Sequence, residues 1–310
     1  MSRAADQGAG EIVGINWGST NFRAYRLAAD GRLLDEVSRP DGVTRLDRPG
    51  MAALVEALMA QWPGAAHVYA SGMVGSNVGW CDAPHVRAAA GPAEVARAAV
   101  VTAMGRCRVH IVPGVWCQRA FDGGPDVMRG EEVELFGVNA LQPGLDGLVA
   151  LPGTHTKWVG FSAGRITDFF TSMTGEMFDR LTAAGLLASI VDGEAVDGPA
   201  FQEGVQAGRQ RQLGLGTLLF GARARVMRGQ LARSDAASYL RGLLIGSEIA
   251  DALHIHPGLA QACVPLIGSG VVCRLYASAL ATVGVQTRFV DSREACIAGF
   301  LALHRERTAS

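Results

Sequence analysis

Apolar runs and the turns between them divide the chain into two halves that repeat one grammar. Residues 11–16 (EIVGIN) form a short apolar run that stops at Trp17-Gly18-Ser19-Thr20, and read as a buried strand ending in a turn. Residues 21–27 form a second strand, Asp30-Gly31 a hairpin turn and 33–37 a third strand. The order returns later: strand 147–151, turn Pro152-Gly153-Thr154-His155-Thr156, strand 157–161, turn Ala163-Gly164, strand 165–170. Gly18 and Gly153 stand close to half the chain apart, which marks a repeat at domain scale rather than a solenoid period.

Behind the first meander the spacing predicts helices at 51–62, 93–104 and 131–141, with strands at 67–71 and 108–112. Behind the second it predicts helices at 177–188, 236–254, 272–283 and 293–304, with strands at 262–267 and 286–290. Residues 186–212, rich in Gly, Asp and Gln, read as an insertion. Each half is thus a three-stranded meander followed by alternating helix and strand, an α/β arrangement. The expected domains are 1–143 and 144–310.

Composition narrows the class. The 310 residues carry 28 basic and 29 acidic side chains, a net charge of −1, which argues against a nucleic-acid partner. No apolar run approaches the roughly 20 residues that span a bilayer, so no membrane partner is expected. The N-terminus lacks an apolar export core, and six scattered cysteines without a C-x-x-C pair read as reduced thiols of a cytoplasmic protein. Among 28 basic residues there is a single lysine, Lys157. Either it survived by chance, or its position needs a compact ammonium that Arg cannot imitate.

A tight turn of Gly with Ser or Thr between strands gathers backbone N–H groups and a hydroxyl at one point, which suits phosphate oxygens. One such turn is also ordinary hairpin punctuation. Two at equivalent places, Gly18-Ser19-Thr20 and Gly153-Thr154-His155, point to a polyphosphate, with Lys157 on the strand leaving the second. A third glycine element, Gly268-Ser269-Gly270, follows a strand and opens a helix, where nucleotides approach α/β sheets. There is neither a G-x-G-x-x-G fingerprint nor a P-loop.

These three elements resemble the phosphate-1, phosphate-2 and adenosine motifs of the actin-like sugar kinase, Hsp70 and actin ATPase superfamily. With INWGSTNFRAYRL (15–27), GVTRL (42–46), SGMVGSNVGW (71–80), VMRGEEVELFG (127–137), LPGTHTKWV (151–159) and SMTGEMF (172–178), the chain is similar to the 2-dehydro-3-deoxygalactonokinase family over about 12–300. The match is weakest over 186–235. The resemblance implies a two-lobed actin-like ATPase fold, with duplicated ribonuclease H-like βββαβαβα domains about a central cleft. It implies ATP and Mg²⁺ as cofactors and 2-dehydro-3-deoxy-D-galactonate as substrate, phosphorylated on its 6-hydroxyl.

Site roles follow from the same resemblance. The turns at Gly18, Ser19 and Thr20 and at Gly153, Thr154 and His155 would hold the triphosphate, Gly268, Ser269 and Gly270 the adenosine, and Lys157 the γ-phosphate. The base is a carboxylate opening the helix before the second phosphate turn: Glu131 first, Glu132 as alternative, Asp126 a distant third. Paired acids at a helix start also simply complement its dipole. Arg23, Arg45 and Arg129 are candidates for the substrate carboxylate, and Gly75, Ser76, Asn77 and Trp80 for the sugar pocket. Asn16 stands where the superfamily usually carries the Asp that orders the Mg²⁺ hydration shell, which predicts weaker metal binding. Alternatives are a kinase for another sugar acid, a phosphohydrolase, or a silent sugar-acid-binding protein. The apolar helix over 239–249 suits either interdomain packing or a homodimer contact.

Overall fold

The computed structural model describes residues 10–309. They cluster into two compact units, one comprising residues up to Asp146 with 161–168 and 292 onward, the other 147–160 with 169–291.

The first unit opens with β1 (Glu11–Trp17), β2 (Phe22–Leu27) and β3 (Leu33–Arg39). It continues with α1 (Arg48–Gln61), β4 (Ala65–Ser71), β5 (His85–Arg87), α2 (Pro92–Arg97), β6 (Val100–Met104), β7 (Cys107–Ile111), β8 (Gly114–Gln118), β9 (Pro125–Met128) and α3 (Glu131–Leu141). Its main sheet runs β3-β2-β1-β4-β7-β6, antiparallel in the meander and parallel from β1 through β4 to β7. Alternation puts Val13, Ile15, Trp17, Phe22 and Ala24 into a core that α1 closes with Met51, Val55 and Leu58. Asn16 registers with Ser71 across β1 and β4, so both strands end at one edge. That edge is where an α/β sheet places its ligands.

The second unit repeats the plan with β10 (Gly147–Leu151), β11 (Thr156–Ser162) and β12 (Arg165–Ser172). Then come α4 (Thr174–Ala183), α5 (Gly185–Ala188), α6 (Pro199–Gly208), α7 (Leu215–Met227), α8 (Arg233–Ile255), β13 (Cys263–Gly268), α9 (Gly270–Ala281) and β14 (Gln286–Asp291). The sheet order, β12-β11-β10-β13-β14, repeats the order of the first five strands of the other sheet. The last helix, α10 (Ser292–Thr308), belongs to the first unit.

Several expectations are corrected. The helix expected over 93–104 stops at Arg97, because β-branched Val100, Val101 and Thr102 pair with β7 across a turn at Gly105 (φ +59°). β5, β8 and β9 form a small third sheet that no pattern announced, its strands being three to five residues long. The helix expected over 177–188 starts at Thr174 and breaks before Gly185 (φ +82°). The insertion over 186–212 holds α6, seated on α8 where Gly204 and Gly208 face Gly242 and Gly246. A Cβ at any of the four would strike the facing helix's carbonyl oxygens.

Two domain-level readings also change. The division after residue 143 follows chain order, but α10 packs on α3, with Gly137 against Ala295 and Gly299 against Val133. The helix over 239–249 is buried inside its own unit, including Tyr239, Leu240, Leu243, Ile245 and Ile249, and offers no subunit surface. Among the described residues no helix is long and apolar enough to cross a membrane.

Candidate functional site

The first cluster lies at the common edge of β1 and β4. The turn after β1 closes by Gly18 N–H donating to Asn21 O at 2.9 Å. Its carbonyls are taken from outside: Val43 N–H donates to Gly18 O at 3.0 Å, and Thr44 donates to Ser19 O through its amide (3.1 Å) and hydroxyl (2.7 Å). GVTRL is therefore a brace for the turn. The amides of Ser19 and Thr20 donate to nothing among the described residues, so the exposed turn offers two free N–H groups and the Ser19 hydroxyl.

Beside it, Gly72 (φ +90°) touches Trp17 O, and Gly130 (φ +111°) touches the Cα of Gly72. The ends of β1 and β4 and the start of α3 thus meet with no side chains between them. The two carboxylates of α3 fold back on their own helix start. Glu131 Oε2 accepts from Arg129 N–H at 3.0 Å, and Glu132 Oε2 from Gly130 N–H at 2.7 Å.

Glu132 is 0% exposed and its Oε1 has no partner. Burial, then the neighbouring Glu131 charge, push its carboxyl up to about 8 against the pull of Gly130 N–H and Arg129. Arg129 donates from Nη2 to Ala83 O at 2.7 Å and to the His85 ring at 3.1 Å, while Nη1 lies over Gly75 without a partner. Ser71 Oγ, buried at the end of β4, is also unpartnered. Buried polar atoms are ordinarily hydrogen-bonded, so these three atoms are places where a water or a ligand group would find a partner.

Asn16 donates from Nδ2 to Cys296 Sγ at 3.3 Å, and Arg23 registers opposite it on β2, exposed. Burial pushes the Cys296 thiol up, so it stays protonated. Among the described residues no group of three His, Cys, Asp or Glu is placed to hold a metal. Mg²⁺ usually keeps waters and substrate phosphates and takes only one or two protein oxygens, which the neutral Oδ1 of Asn16 fits.

The other expected substrate residues are distributed differently. Ser76 is buried, and its hydroxyl donates to Met73 O at 2.7 Å, closing its own turn, while Asn77 is exposed. Trp80 is half-buried, packs against the core and donates to Thr102 Oγ1 at 3.2 Å. Arg45 is exposed and donates to Pro40 O. Asp126 lies on β9, with Arg119 at 3.4 Å.

The second cluster surrounds the turn after β10. Gly175 rests on Gly153 O and the Thr154 backbone, and Glu176 N–H donates to Thr154 O at 2.9 Å. Glu176 Oε2 meets His155 Nε2 at 2.6 Å. That bond, with lesser help from Arg180, holds the Glu176 carboxyl below its ordinary range. The amides of Gly153, Thr154 and His155 donate to nothing among the described residues. Gly268 touches Pro152 O, and α9 starts behind Ser269 with no side-chain cap, leaving its first N–H groups beside this turn.

Lys157 points to the other face of β11, 6% exposed, with Nζ donating to Thr171 Oγ1 at 2.9 Å. Thr156 meets Tyr276 OH at 2.8 Å, and Glu248 accepts from Tyr276 and Trp158, both at 2.8 Å, tying the turn's strand to α8 and α9. Reading the sequence missed Ser71, Thr44, Glu176 and Glu248. The available signals were SMTGEMF for Glu176 and, for Glu248, an acid set within the apolar middle of a helix.

Two sheets of one topology, each with a free-amide turn between its first strands, define the actin-like ATPase class. The activator of 2-hydroxyisocaproyl-CoA dehydratase from Clostridium difficile, solved with ADPNP, shares this fold at TM-score 0.54 and 12% identity, covering 96% of each chain. The chain belongs to the 2-keto-3-deoxy-galactonokinase family, whose model matches residues 16–303. It is 36% identical over 303 residues to "Probable 2-dehydro-3-deoxygalactonokinase DgoK1" of Rhizobium meliloti (strain 1021), covering 96% of this chain and 97% of the relative. To the 2-dehydro-3-deoxygalactonokinase of Escherichia coli (strain K12) it is 33% identical, covering 94% and 96%. A crystal structure from Sinorhizobium meliloti assigned to the same activity superposes at TM-score 0.87 and 34% identity, covering 95% and 98%.

Proposed function

We propose that the protein transfers the γ-phosphoryl group of ATP to the 6-hydroxyl of 2-dehydro-3-deoxy-D-galactonate. The observation that carries this reading is the trio of buried, unpartnered atoms, Ser71 Oγ, Arg129 Nη1 and Glu132 Oε1, beside the free amides of Ser19 and Thr20. A polyol acid with a phosphate acceptor needs this mixture of donor, cation and carboxyl.

In the reaction the hydroxyl oxygen attacks the γ-phosphorus, the bond to the bridging oxygen breaks, and ADP leaves. Glu131, whose carboxylate is partly exposed, takes the hydroxyl proton. Glu132, protonated near neutral pH, donates from its carboxyl and keeps a second negative charge away from the phosphates. Arg129 Nη1 faces the substrate carboxylate, with Arg23 and Arg45 as outer cations. Ser19, Thr20, Gly153, Thr154 and His155 bind phosphate oxygens, and the start of α9 at Gly268-Ser269-Gly270 takes the nucleoside side. Lys157 adds positive charge behind the second turn. Mg²⁺, when bound, neutralises phosphate charge, with Asn16 as its neutral oxygen contact. No disulfide joins cysteines among the described residues, and reduced thiols suit a cytoplasmic enzyme.

The test is ADP release with Mg-ATP and a panel of 2-dehydro-3-deoxy sugar acids, each against a control without sugar. Release that depends on the galactonate isomer supports the reading. Preference for another isomer reassigns the substrate, and equal release without sugar makes the protein a phosphohydrolase. Thermal stabilisation by sugar without turnover makes it a binding protein.

A further inference from the structure

None of the residues assigned above lines a cavity of the first unit, of about 280 Å³, formed by His67 and Tyr69 of β4, Arg108 and His110 of β7, and Arg307 and Thr308 of α10. Strand alternation explains the set. Tyr69 registers with His110 across parallel β4 and β7, so these four side chains leave one face of the sheet. The last turns of α10 cover that face: Tyr69 OH meets His304 Nδ1 at 2.9 Å, and the His67 and His304 rings lie 4.7 Å apart.

The charge there has one sign. Arg108 is exposed and has no ion-pair partner among the described residues, and Arg307 spends only Nη1, on Ala96 O at 3.1 Å. Among the described residues no carboxylate lines the cavity. His110 is 8% exposed, stacks on Tyr69 at 5.1 Å, and leaves its buried Nδ1 without a partner. Arg307 alone would answer to the carbonyl end of α10. Arg108, on a strand, and three histidines do not. The two guanidinium groups, with no counter-charge lining the cavity among the described residues, repel one another, and an anion relieves that repulsion.

We infer that this cavity binds a phosphomonoester or phosphate dianion, with Arg108 and Arg307 as guanidinium donors and His67 and His110 as ring donors. A tetrahedral dianion offers oxygens to all four, more than the two oxygens of a carboxylate, and the cavity has room for a small carbon skeleton beside the phosphate. The inference stands independently of the kinase reading. The groups facing His110 are Arg108 on its own strand, His67 and Tyr69 on β4, and His304 and Arg307 on α10; β6 places the apolar Val101 opposite it. Burial and then these cations hold His110 down at about 4, so it is neutral near pH 7 in the free protein. An anion favours the protonated ring, so binding takes up protons and tightens as pH falls.

The test follows the seven histidine rings of the full chain by NMR. Inorganic phosphate and glycerol 3-phosphate are titrated separately, and sulfate, whose charge is fixed, is titrated at about pH 6 and about pH 8. The expected result is saturable movement of His67, His110 and His304, with His254 and His256 still, and tighter sulfate binding at the lower pH. Arg108→Ala should weaken binding about tenfold while leaving the melting temperature and the kinase rate in phosphate-free buffer unchanged. A preference for glycerol 3-phosphate supports a phosphorylated metabolite as ligand, and equal affinity supports inorganic phosphate. The inference is overturned if none of the three rings moves, or if Arg108→Ala binds as the parent does.

Discussion

Gly130 rests directly on Gly72: a Cβ at Gly130 would lie 3.2 Å from the Gly72 Cα, and the two residues hold φ of +111° and +90°. This contact sets the distance between the end of β4 and the helix that carries Glu131 and Glu132. Gly72→Ala meets Trp17 O and a strained φ together. The expected cost is about 1–3 kcal/mol of stability, with a fall in kcat larger than the rise in KM. Denaturant melts and steady-state kinetics check it, and an unchanged kcat would show that the contact is only structural.

The paired acids predict separable effects. Glu131→Gln should lower kcat by about 10²–10⁴-fold with little change in the KM for the sugar acid. Glu132→Gln should be milder, because that carboxyl already carries its proton near neutral pH. If Glu132→Gln proves the more damaging of the two, the assignment of the base reverses.

Glu132 also gives stability a pH dependence with a definite sign. Its carboxyl titrates at about 8 folded, against an ordinary 4.5 in the unfolded chain. Folding therefore binds a proton between those values. The stabilisation is complete below pH 4.5 and is lost as pH rises through 8, with a slope approaching roughly 1.4 kcal/mol per pH unit. Urea melts across this range should show that decline in the parent and a flatter profile in Glu132→Gln. Parallel profiles would mean the carboxyl ionises normally.

The meanders and their glycine turns were legible in the sequence because strand alternation and turn chemistry are local, and Arg129-Gly130-Glu131-Glu132 because a glycine and two acids open the helix. What escaped was non-local. Nothing in the α10 sequence says that Gly299 will seat on Val133 of α3 rather than stay with the half that precedes it. The strand at 100–104 hid behind an alanine-rich helical pattern, and its partner is found only across the Gly105 turn. That Trp80 would pack against the core and reach Thr102 is likewise set by strands distant in sequence. Ser71 gained its interest only from lacking a partner, which no sequence pattern records.

His155 Nε2 and Glu176 Oε2 meet at 2.6 Å, joining the second turn to α4. The hydrogen bond from Glu176 N–H to Thr154 O would survive Glu176→Gln, so the turn should persist while His155 loosens. The KM for ATP should rise roughly fivefold, with the melting temperature unchanged because both side chains reach solvent. Since the Glu176 carboxyl is held below its usual range, the contact is present above that range and is lost as pH falls through it. A KM that stays at the parent value would remove His155 from the phosphate-binding set.

Asn16 is the proposed Mg²⁺ contact, and its substitution tests that proposal. Its Nδ2 donates to a thiol that burial keeps protonated, so Asn16→Asp replaces a donor by an acceptor facing an S–H that can itself donate. The substitution should therefore be tolerated by the fold, and it supplies the anionic oxygen that Mg²⁺ prefers. The half-saturating Mg²⁺ concentration should fall roughly tenfold, with a smaller change in kcat at saturating metal. Cys296→Ala serves as the control, since it removes the sulfur without adding charge and should leave the Mg²⁺ curve in place. Should the Mg²⁺ curves of the parent and Asn16→Asp coincide, the metal is held by phosphate and water alone and Asn16 has no part in it.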